Sequence, residues 1–316
     1  MNKSMATNVP KVCAVVITYN QREQALACLR TLSGVTYTAW TVLLVDNGST
    51  DGTAEVVAKS FPHVHMLRLG KNQGYVGGTN HGVARALAGG ADYILLLNDD
   101  VWVPPEAPST LVAAAEADLQ TAVVGPKVYC LDEPQRIQSA GGAIDWRTAC
   151  SQLIGQGELD QGQYDCSRDV EFVSGCAMLI RAQAWYAVGG FDPAYFLYYE
   201  EVDWCLRARQ AGWKVTYIPW TAVWHADRTS TKAELGLVTY YTIRNRLLLA
   251  KRHAASGTQL ATYLDQLWRM GRGLHTFFDP QRRPQFVATW QATWDFFRGR
   301  FGPGPYPVSA QHRQQS

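Results

Sequence analysis

A short apolar stretch in the first half of the chain constrains the fold more than any other feature. Residues Tyr93–Leu97 form an uninterrupted apolar run that a Gly-Gly pair precedes and a Pro-Pro pair follows. A run this short, apolar on both faces and bounded by helix breakers, is typical of a central strand in a parallel sheet. The run ends in Asn98, Asp99 and Asp100. Because open α/β sheets bind ligands beyond the carboxyl ends of their strands, we expect this acidic step to face a ligand.

Apolar runs of the same kind recur along the chain, separated by segments with helical periodicity. Those that precede Tyr93 lie at Val12–Thr18, Thr41–Val45 and Val64–Leu69. Strands that alternate with helices of about 10 to 15 residues predict βαβ units. The predicted fold class is therefore α/β, with a mostly parallel central sheet flanked by helices. Later in the chain the alternation is less regular, and further strands are predicted at Ala122–Tyr129, Phe172–Ile180 and Trp213–Ile218.

The last quarter of the chain has a different pattern. From about Lys232 onward the periodicity is purely helical, so we predict an α/β domain over residues 1–230 and a helical region over residues 231–316. The Gly-, Pro- and Gln-rich end, Gly302–Ser316, is expected to be disordered. The helical region carries twelve Lys and Arg against four Asp and Glu, and its Trp and Phe residues are interleaved with Arg. This pattern fits either a surface that contacts an anionic membrane or an ordinary helical layer packed on the core.

Composition excludes several classes of protein. The chain is 47% hydrophobic with a formal net charge of only +2, which is globular and implies no general attraction to nucleic acid. Its seven cysteines are scattered and include no Cys-x-x-Cys pair, which argues against a zinc site or a disulfide scaffold and for a reducing compartment. The first ten residues lack the apolar core of a signal peptide. We expect a cytoplasmic protein whose membrane contact, if any, is peripheral, at the inner face of the cytoplasmic membrane.

Polar or glycine-rich motifs follow the predicted strands at four places. They are Asp46, the stretch Asn72–Asn80, the step Asn98–Asp100, and the group Glu200, Glu201 and Asp203. Adjacent carboxylates repel one another, and a divalent cation commonly relieves that cost; Mg²⁺ typically takes one or two carboxylates together with substrate phosphates. For the tripeptide alone, an acidic turn after a buried strand explains the pattern equally well. The order and spacing of the motifs are more specific than any one of them.

Together these motifs resemble the family 2 glycosyltransferases of GT-A (Rossmann-like) fold. The resemblance covers about residues 12–253 and is closest to bacterial rhamnosyltransferase-like members that build O-antigen, capsule and other cell-wall glycans. The segments that carry it are Val-Ile-Thr-Tyr-Asn from residue 16, Val-Asp-Asn-Gly-Ser-Thr-Asp-Gly from residue 45, Asn-Gln-Gly-Tyr-Val-Gly-Gly-Thr-Asn from residue 72 and Tyr-Tyr-Glu-Glu-Val-Asp-Trp-Cys-Leu-Arg from residue 198. It implies a GT-A catalytic domain over residues 1–230 and inverting transfer of a sugar from a nucleotide diphosphate donor.

The resemblance also implies which residues bind the donor. Asp46 accepts a hydrogen bond from the pyrimidine N3, which favours uracil or thymine; alternatively, it begins an Asx-turn before Gly48. The glycine-rich loop closes over the nucleotide with its backbone N–H groups and the N-terminus of the following helix. The residues assigned to the nucleoside pocket are Thr18, Tyr19 and Asn20, and those assigned to the loop are Asn72, Gly74, Gly77 and Asn80.

The acidic step corresponds to the family's Asp-x-Asp, with Asn in the first place. Asn98 is expected to contact the donor ribose, Asp100 to bind a divalent cation, and Asp99 to assist. The reduced charge favours Mn²⁺ over Mg²⁺ or weakens the affinity for either metal. His225 occupies the position from which the family often supplies a further contact to the metal or the diphosphate, although a lone His is more often structural.

A second acidic group supplies the predicted general base. Inverting transfer needs a base within about 3 Å of the attacking hydroxyl. Glu201 matches the second member of the family's Glu-Asp pair and is the candidate base, while Glu200 orients the acceptor and Asp203 supports both. Negative charge at the start of a helix can also be plain capping. Trp204 and Tyr199 are predicted to form a platform for the acceptor sugar.

Three functions fit these motifs to different degrees. The leading one is a metal-dependent inverting glycosyltransferase that uses dTDP-rhamnose first, then UDP-hexoses or UDP-galactofuranose, and a glycan or polyprenyl-diphosphate-linked acceptor. A sugar nucleotidyltransferase is expected to carry a basic glycine-rich loop after the first strand, where this chain has Thr-Tyr-Asn-Gln. A non-catalytic module that binds nucleotide sugars or glycans does not require Glu200, Glu201 and His225 together.

Overall fold

The structure, a computed structural model, describes residues 9–226 and 232–306. Its strands are β1 Val12–Thr18, β2 Trp40–Asp46, β3 His65–Arg68, β4 Tyr93–Asn98, β5 Val101–Trp102, β6 Thr121–Cys130, β7 Ile137–Ser139, β8 Gly142–Asp145, β9 Cys150–Leu153, β10 Arg168–Asp169, β11 Ala177–Arg181 and β12 Lys214–His225. Its α-helices are α1 Arg22–Leu32, α2 Thr53–Ser60, α3 Gly74–Ala88, α4 Ala107–Ala117, α5 Ala182–Val188, α6 Glu200–Gln210, α7 Lys232–His253, α8 Ser256–Arg272 and α9 Arg283–Phe297. A short 3-10 helix, Gly273–Phe278, joins α8 to α9.

One mixed sheet forms the centre of the described chain. Its main path runs in the order β10-β12-β6-β11-β4-β1-β2-β3, with β5 added beside β12 and β7 beside β6. Strands β1, β2, β3 and β4 are parallel, and so are β6 and β12. The antiparallel strand β11 lies between these two groups. This arrangement, with helices on both faces and further helices at the C-terminus, confirms the predicted fold class.

Strand β4 is the central strand that its sequence predicts. Every residue from Tyr93 to Leu97 is at most 1% exposed, since β1 and β11 flank the strand and hydrophobic clusters cover both faces. Ile94 and Leu96 face the cluster that includes Val83 of α3. The alternate residues of the strand face a second cluster, to which α1 and α4 contribute. The two-residue period of a strand therefore fixes which side chains enter each layer.

The C-terminal helices pack directly on the α/β region. Leu248 and Leu249 of α7 belong to the same hydrophobic cluster as the strands, and α7 also packs against α9 through Tyr240 and Ala288. Since α7 shares that core, the described part of the helical region is continuous with the α/β region in packing. The predicted boundary between residues 230 and 231 lies outside the described residues.

The prediction that the chain is disordered from Gly302 onward is wrong for its first residues. The Gly302 carbonyl accepts a hydrogen bond from Arg244, and the Gly304 N–H donates to the Tyr241 hydroxyl at 2.8 Å. Tyr306 packs against Tyr240. Composition missed these contacts because the partners are on a distant helix. Residues 307–316 lie outside the described part of the chain.

Within the described residues, no helix has both the length and the apolar character needed to cross a bilayer.

Candidate active site

The acidic step at the end of β4 is held beside the end of strand β12 by a short strand pair. β5 follows the step directly and pairs with the end of β12, which places His225 opposite Val101. The same pairing brings Trp102 against Trp224, with ring centroids 4.9 Å apart. His225 is therefore held beside Asp100 by main-chain register. This supports its selection from the sequence.

Both ring nitrogens of His225 contact polar side chains. Nε2 lies 3.1 Å from Asp100 Oδ1 and 3.2 Å from Asn98 Nδ2, and Nδ1 lies 2.7 Å from Gln138 Oε1. Because the Gln138 oxygen only accepts, its contact requires a proton on Nδ1. Nε2 and the Asp100 carboxylate lie side by side, and an imidazole nitrogen and a carboxylate are both ligands that divalent cations take. Sequence reasoning missed Gln138, which sits on β7 without any motif.

Few protein ligands are available for a metal ion at this site. No group of three or more His, Cys, Asp or Glu residues close enough to hold a metal occurs in the described ranges 9–226 and 232–306. Asp100 and His225 form a two-ligand arrangement. Such a site fits a hard divalent cation that takes its remaining ligands from a substrate diphosphate and water.

Thr18 and Asp99 connect the ends of two neighbouring strands. Both side chains are buried, and the Thr18 hydroxyl donates to Asp99 Oδ2 at 2.8 Å. The predicted place of Thr18 in the nucleoside pocket stays a prediction, and its hydroxyl proton is directed at a protein carboxylate. Thr18 positions Asp99 at the end of β4. Tyr19, the next residue along, is half-buried.

The Asp46 side chain forms a turn, which was the alternative to a contact with the pyrimidine base. Its side chain is 1% exposed, and Oδ1 accepts a hydrogen bond from the Ser49 N–H at 2.8 Å. Its other oxygen lies 3.6 Å from Arg68 Nε. Asn20 contributes to the same corner, since its backbone N–H donates to Ser49 Oγ and its Oδ1 accepts from the Thr50 N–H. The ends of β1 and β2 are thus fixed together at the edge where a nucleoside is expected to bind.

The glycine-rich stretch is shorter as a loop than the sequence indicates. Helix α3 begins at Gly74, so Gly77 and Asn80 belong to the helix. The Asn80 amide exchanges two hydrogen bonds with the backbone of Phe191, at 2.8 and 3.0 Å, and therefore has a structural role rather than the predicted contact with a nucleotide. Asn72 Oδ1 caps the turn by accepting from the Gly74 N–H at 2.8 Å.

Gly74 allows a close approach between this turn and the segment before α6. Its φ is +74°, and a Cβ there would lie 2.5 Å from the Phe196 carbonyl oxygen. The same carbonyl accepts a hydrogen bond from the Val76 N–H. A side chain at this position would force the two segments apart. Gly77 has a more local constraint, because its Cβ would meet the Gln73 side chain.

Glu200 and Glu201 begin helix α6 in two different environments. Glu200 is buried, its Oε2 has no hydrogen-bond partner, and burial together with the charge of Glu201 raises its pKa well above the usual value. Glu201 is partly exposed, and burial raises its pKa to about 6. Burial thus raises the pKa of both carboxyl groups, and the charge of Glu201 raises that of Glu200 further. Two carboxyl groups with separated pKa values are the usual arrangement for acid–base chemistry.

Asp203 does not belong with these two glutamates. It is fully buried and accepts hydrogen bonds from Arg207, His253 and the Tyr195 hydroxyl at 2.8 to 3.0 Å. Burial alone would raise its pKa, but the hydrogen bond from His253 and the charge of Arg207 outweigh that effect and keep the pKa low. The predicted catalytic role is therefore corrected: Asp203 anchors α6 to its surroundings as a permanent anion.

The predicted aromatic platform for the acceptor is wrong for Trp204. This side chain is 0% exposed, stacks on Trp185 and donates its indole N–H to the Gly189 carbonyl. Tyr199 is also largely buried, and its hydroxyl accepts from the Ser151 N–H at 3.4 Å. Trp204 lies one turn after the glutamates on the same side of α6, but Trp185 and Gly189 cover it there, so closeness to the motif does not give exposure to substrate.

The segment that leads into α6 is held in an unusual backbone conformation. Phe196, Tyr198 and Tyr199 all have positive φ values, between 63° and 72°, which costs energy for residues other than glycine. Asn245 Nδ2 on α7 donates to the carbonyls of Tyr195, Leu197 and Tyr198, at 2.7 to 2.9 Å.

Arg244 strengthens this attachment. Its guanidinium donates to the carbonyls of Ala194 and Tyr195 and, on the other side, to Gly302. We call Arg244 and Asn245 the α7 clamp. Sequence reasoning missed it, although three adjacent polar residues, Arg244 to Arg246, before a Leu-Leu-Leu run in a helix are an unusual pattern.

Comparison with known proteins shows which family the chain resembles in sequence and in fold. The family model described as "Glycosyl transferase family 2" matches residues 13–184. An N-acetylglucosaminyl-diphospho-decaprenol L-rhamnosyltransferase of Mycobacterium tuberculosis is 32% identical over 69% of this chain and 76% of its own length. The dTDP-rhamnosyl transferase RfbF of Shigella flexneri is 24% identical over 77% of this chain and 80% of its own length.

A solved structure, GalNAc-T7 with UDP, GalNAc and Mn²⁺, superposes with a TM-score of 0.63 at 15% identity, covering 96% of this chain and 59% of that one. At this identity the likeness concerns the fold alone, and it confirms the GT-A prediction. The matched family segment includes the acidic step and ends before Glu200. The chain therefore belongs to glycosyl transferase family 2, where it resembles the rhamnosyltransferases.

Proposed function

We propose that the protein is a metal-dependent inverting hexosyltransferase that transfers rhamnose from dTDP-rhamnose to an acceptor in cell-surface polysaccharide synthesis. The observation that carries this proposal is the Glu200–Glu201 pair at the start of α6, with its separated pKa values. The names of the relatives from Mycobacterium tuberculosis and Shigella flexneri support rhamnose as the sugar. A UDP-hexose or UDP-galactofuranose is the next candidate donor.

The chemistry that we assign to this pair is removal of the acceptor's proton. Glu201 carries the negative charge at neutral pH and is partly exposed, so it accepts the proton of the attacking hydroxyl. Glu200 is kept protonated by burial and donates a hydrogen bond that holds the acceptor or its partner carboxylate in place. The proton moves from the acceptor hydroxyl to Glu201 as the new glycosidic bond forms at the opposite face from the departing nucleotide.

The donor is assigned to the edge formed by the ends of β1, β2 and β4. Asp46 accepts from N3 of thymine or uracil through the oxygen that the Ser49 N–H does not use. Tyr19, Asn20 and the Asn72–Gly74 turn complete the nucleotide pocket, and Asn98 contacts the ribose.

Asp100 and His225 are the residues that we expect to hold Mg²⁺ or Mn²⁺. His225 Nε2 lies 3.1 Å from Asp100 Oδ1, and the Gln138 oxygen accepts a hydrogen bond from Nδ1 on the other side of the ring. When bound, such a cation neutralises the negative charge that develops on the departing diphosphate. The GalNAc-T7 structure was solved with UDP and Mn²⁺ together, which supports a divalent cation in this fold.

The acceptor is proposed to be a glycan or a polyprenyl-diphosphate-linked sugar presented at the cytoplasmic face of an anionic membrane. The name of the Mycobacterium tuberculosis relative supports the lipid-linked form. Helix α8 supports membrane contact, since its outward residues Leu260, Leu264 and Trp268 are each more than half exposed. Arg272 lies over the Trp268 ring at 4.6 Å, a pairing suited to the headgroup region.

A donor panel tests this function. Purified protein is incubated with dTDP-rhamnose, UDP-galactofuranose and UDP-hexoses, with Mn²⁺ or with a chelator, and slow donor hydrolysis is measured. We expect hydrolysis of dTDP-rhamnose that depends on the metal. In calorimetry, Asp100→Ala should lose the Mn²⁺-dependent part of dTDP affinity, whereas Asp46→Ala should weaken dTDP with or without metal. Cleavage of a nucleoside triphosphate in place of the sugar donors would assign the protein to the nucleotidyltransferases.

A further inference from the structure

A large cavity lies between the C-terminal helices and the α/β region. Its volume is about 860 Å³, within the usual range for ligand pockets of about 300 to 1,000 Å³. Helices α7, α8 and α9 and strand β9 contribute to its lining. We propose that this cavity binds the diphosphate and the first isoprenoid units of a polyprenyl-diphosphate-linked acceptor. The inference rests on the proposed function, because it identifies the site for the acceptor of that reaction.

The cavity borders the start of the helix that carries the proposed base. Tyr199, which lines it, is the residue immediately before Glu200 and Glu201. Ser151 lines it as well, and its N–H donates to the Tyr199 hydroxyl. The residues of the donor edge, at the ends of β1, β2 and β4, do not line this cavity. The cavity is therefore distinct from the donor edge and adjoins the start of the helix that carries the proposed base.

The cavity wall carries an excess of positive charge. Three arginines line it: Arg246, Arg269 and Arg282. Arg246 and Arg269 share one carboxylate, Asp265, at 3.3 and 2.8 Å, and Arg282 lies 3.7 Å from Asp279. Three guanidinium groups thus face two carboxylates. Arginine is suited to phosphate groups because its planar fork donates two parallel hydrogen bonds.

The buried member of this group is already fixed in orientation. Arg246 is 5% exposed, and it donates to Gln266 Oε1 at 2.7 Å and to the Thr148 carbonyl at 3.4 Å. Its side chain is therefore held at the inner wall without help from a ligand. Arg269 and Arg282 have side chains that are 55% and 65% exposed. They can reorient toward an incoming diphosphate.

The remaining wall is suited to an isoprenoid chain. Ile243, Met270 and Phe286 give it an apolar surface beside the arginines. Helix α8 separates the cavity from the outside: Gln266 and Met270 line the cavity, while Leu260 and Leu264 are exposed on the helix surface. One side of helix α8 thus lines the cavity for the diphosphate, and its other side offers an apolar surface to a bilayer. The cavity therefore lies beside the membrane that would hold a lipid-linked acceptor.

Binding of farnesyl diphosphate, a short polyprenyl diphosphate, tests the site directly by calorimetry on the full chain. Removing one phosphate-binding arginine, in Arg269→Ala or Arg282→Ala, should weaken binding about tenfold, or by about 1.4 kcal/mol. Arg300→Ala is the matched control: its side chain is 66% exposed and lies 3.7 Å from Asp295, as Arg282 does from Asp279, but it does not line the cavity. The control should bind as the wild type does.

Further probes give the outcomes that would overturn the inference. No binding of farnesyl diphosphate to the wild type, or equal loss in Arg300→Ala, rules out the cavity. If inorganic pyrophosphate binds as tightly as farnesyl diphosphate, the isoprenoid chain contributes nothing to binding and the cavity is a simple anion site. Farnesol that binds as tightly, without dependence on Arg269 or Arg282, reduces it to an apolar cavity.

The donor separates this inference from the proposed function. The affinity for dTDP should be the same in the wild type, Arg282→Ala and Arg300→Ala. If dTDP-rhamnose is not a donor but farnesyl diphosphate binding still depends on Arg269 and Arg282, the proposed function fails and the cavity assignment stands. If transfer to a lipid-linked acceptor proceeds with an unchanged acceptor KM in both cavity variants, the cavity assignment fails and the proposed function stands.

Discussion

Glu200 and Glu201 are neighbours in sequence, yet the fold places them in different environments. The first is enclosed in the protein with an oxygen that no donor contacts, and the second reaches partly into solvent. Burial and the charge of Glu201 raise the pKa of Glu200, which favours its neutral form beside that charge. Each glutamate therefore has a distinct role that variants can test.

Glu201→Gln should remove transfer and leave donor binding intact. Glutamine has the size of glutamate and can still contact the acceptor hydroxyl, but it cannot take its proton. We expect kcat to fall by about 10² to 10⁴. The measurement is steady-state transfer, with dTDP affinity from calorimetry as the control. A Glu201→Gln enzyme with near wild-type kcat, alongside an inactive Glu200→Gln enzyme, would show that Glu200 is the base.

Glu200→Gln should stabilise the protein relative to the wild type, and this gain in stability should grow as the pH rises. The pKa of Glu200 is raised on folding from its ordinary value of 4.5, so the native state holds a proton that the unfolded chain releases. In the wild type this destabilises the native state progressively above about pH 4.5. Glutamine cannot ionise, so the Tm advantage of the variant should be larger at pH 8 than at pH 5. An advantage that shrinks as the pH rises would contradict the raised pKa.

At the scale of elements, α7 determines the path of the chain into α6. The α7 clamp holds the carbonyls of a segment in which Phe196, Tyr198 and Tyr199 have left-handed backbone conformations. Such conformations persist only where the surroundings compensate for their cost. The position of the proposed base thus depends on a helix that begins about thirty residues after it.

Asn245→Asp should lower kcat more than it changes donor affinity. The carboxylate has the shape of the amide but no N–H donors, so buried carbonyls lose their partner at about 1–3 kcal/mol for each group left unpaired. Asn245 therefore acts as a positioning residue. A shifted Glu201 should also change the acidic limb of the pH–rate profile, which a merely less stable enzyme would retain. Gln259→Glu on α8 is the control, because Gln259 also donates to a backbone carbonyl, that of Ala254, away from α6. Equal kcat in both variants argues against positioning.

How much of this could be predicted from the sequence differs between elements. β1 was predicted with its observed bounds and β4 within one residue, because apolar runs and their polar ends are local signals. Trp204 and Asn80 were assigned to ligands, but both serve the protein itself, because the direction of a side chain on a helix depends on the neighbouring helices. Gln138 and Asn245 carry no motif and were found only when the strands and helices were assembled.

For the whole molecule, the exposed apolar side chains concentrate on the C-terminal helices. We expect the protein to float with anionic liposomes and to be released by salt, since charge attraction is screened over about 8 Å at physiological ionic strength. Trp268→Ser should weaken flotation. Trp220→Ser is the matched control, because Trp220 is 62% exposed and Trp268 is 58% exposed, but Trp220 lies on β12. Equal binding to neutral and anionic vesicles would argue for an acceptor that is not membrane-bound.

The contact between Gly74 and Phe196 has a consequence for the order of events in a catalytic cycle. The Phe196 carbonyl touches the first turn of α3, and four residues later the chain enters α6. A nucleotide that tightens the turn around Asn72 must also shift the segment that precedes the glutamates. The two substrates then cannot bind independently. The kinetics should be ordered and sequential, with the nucleotide sugar binding first and the nucleoside diphosphate product leaving last.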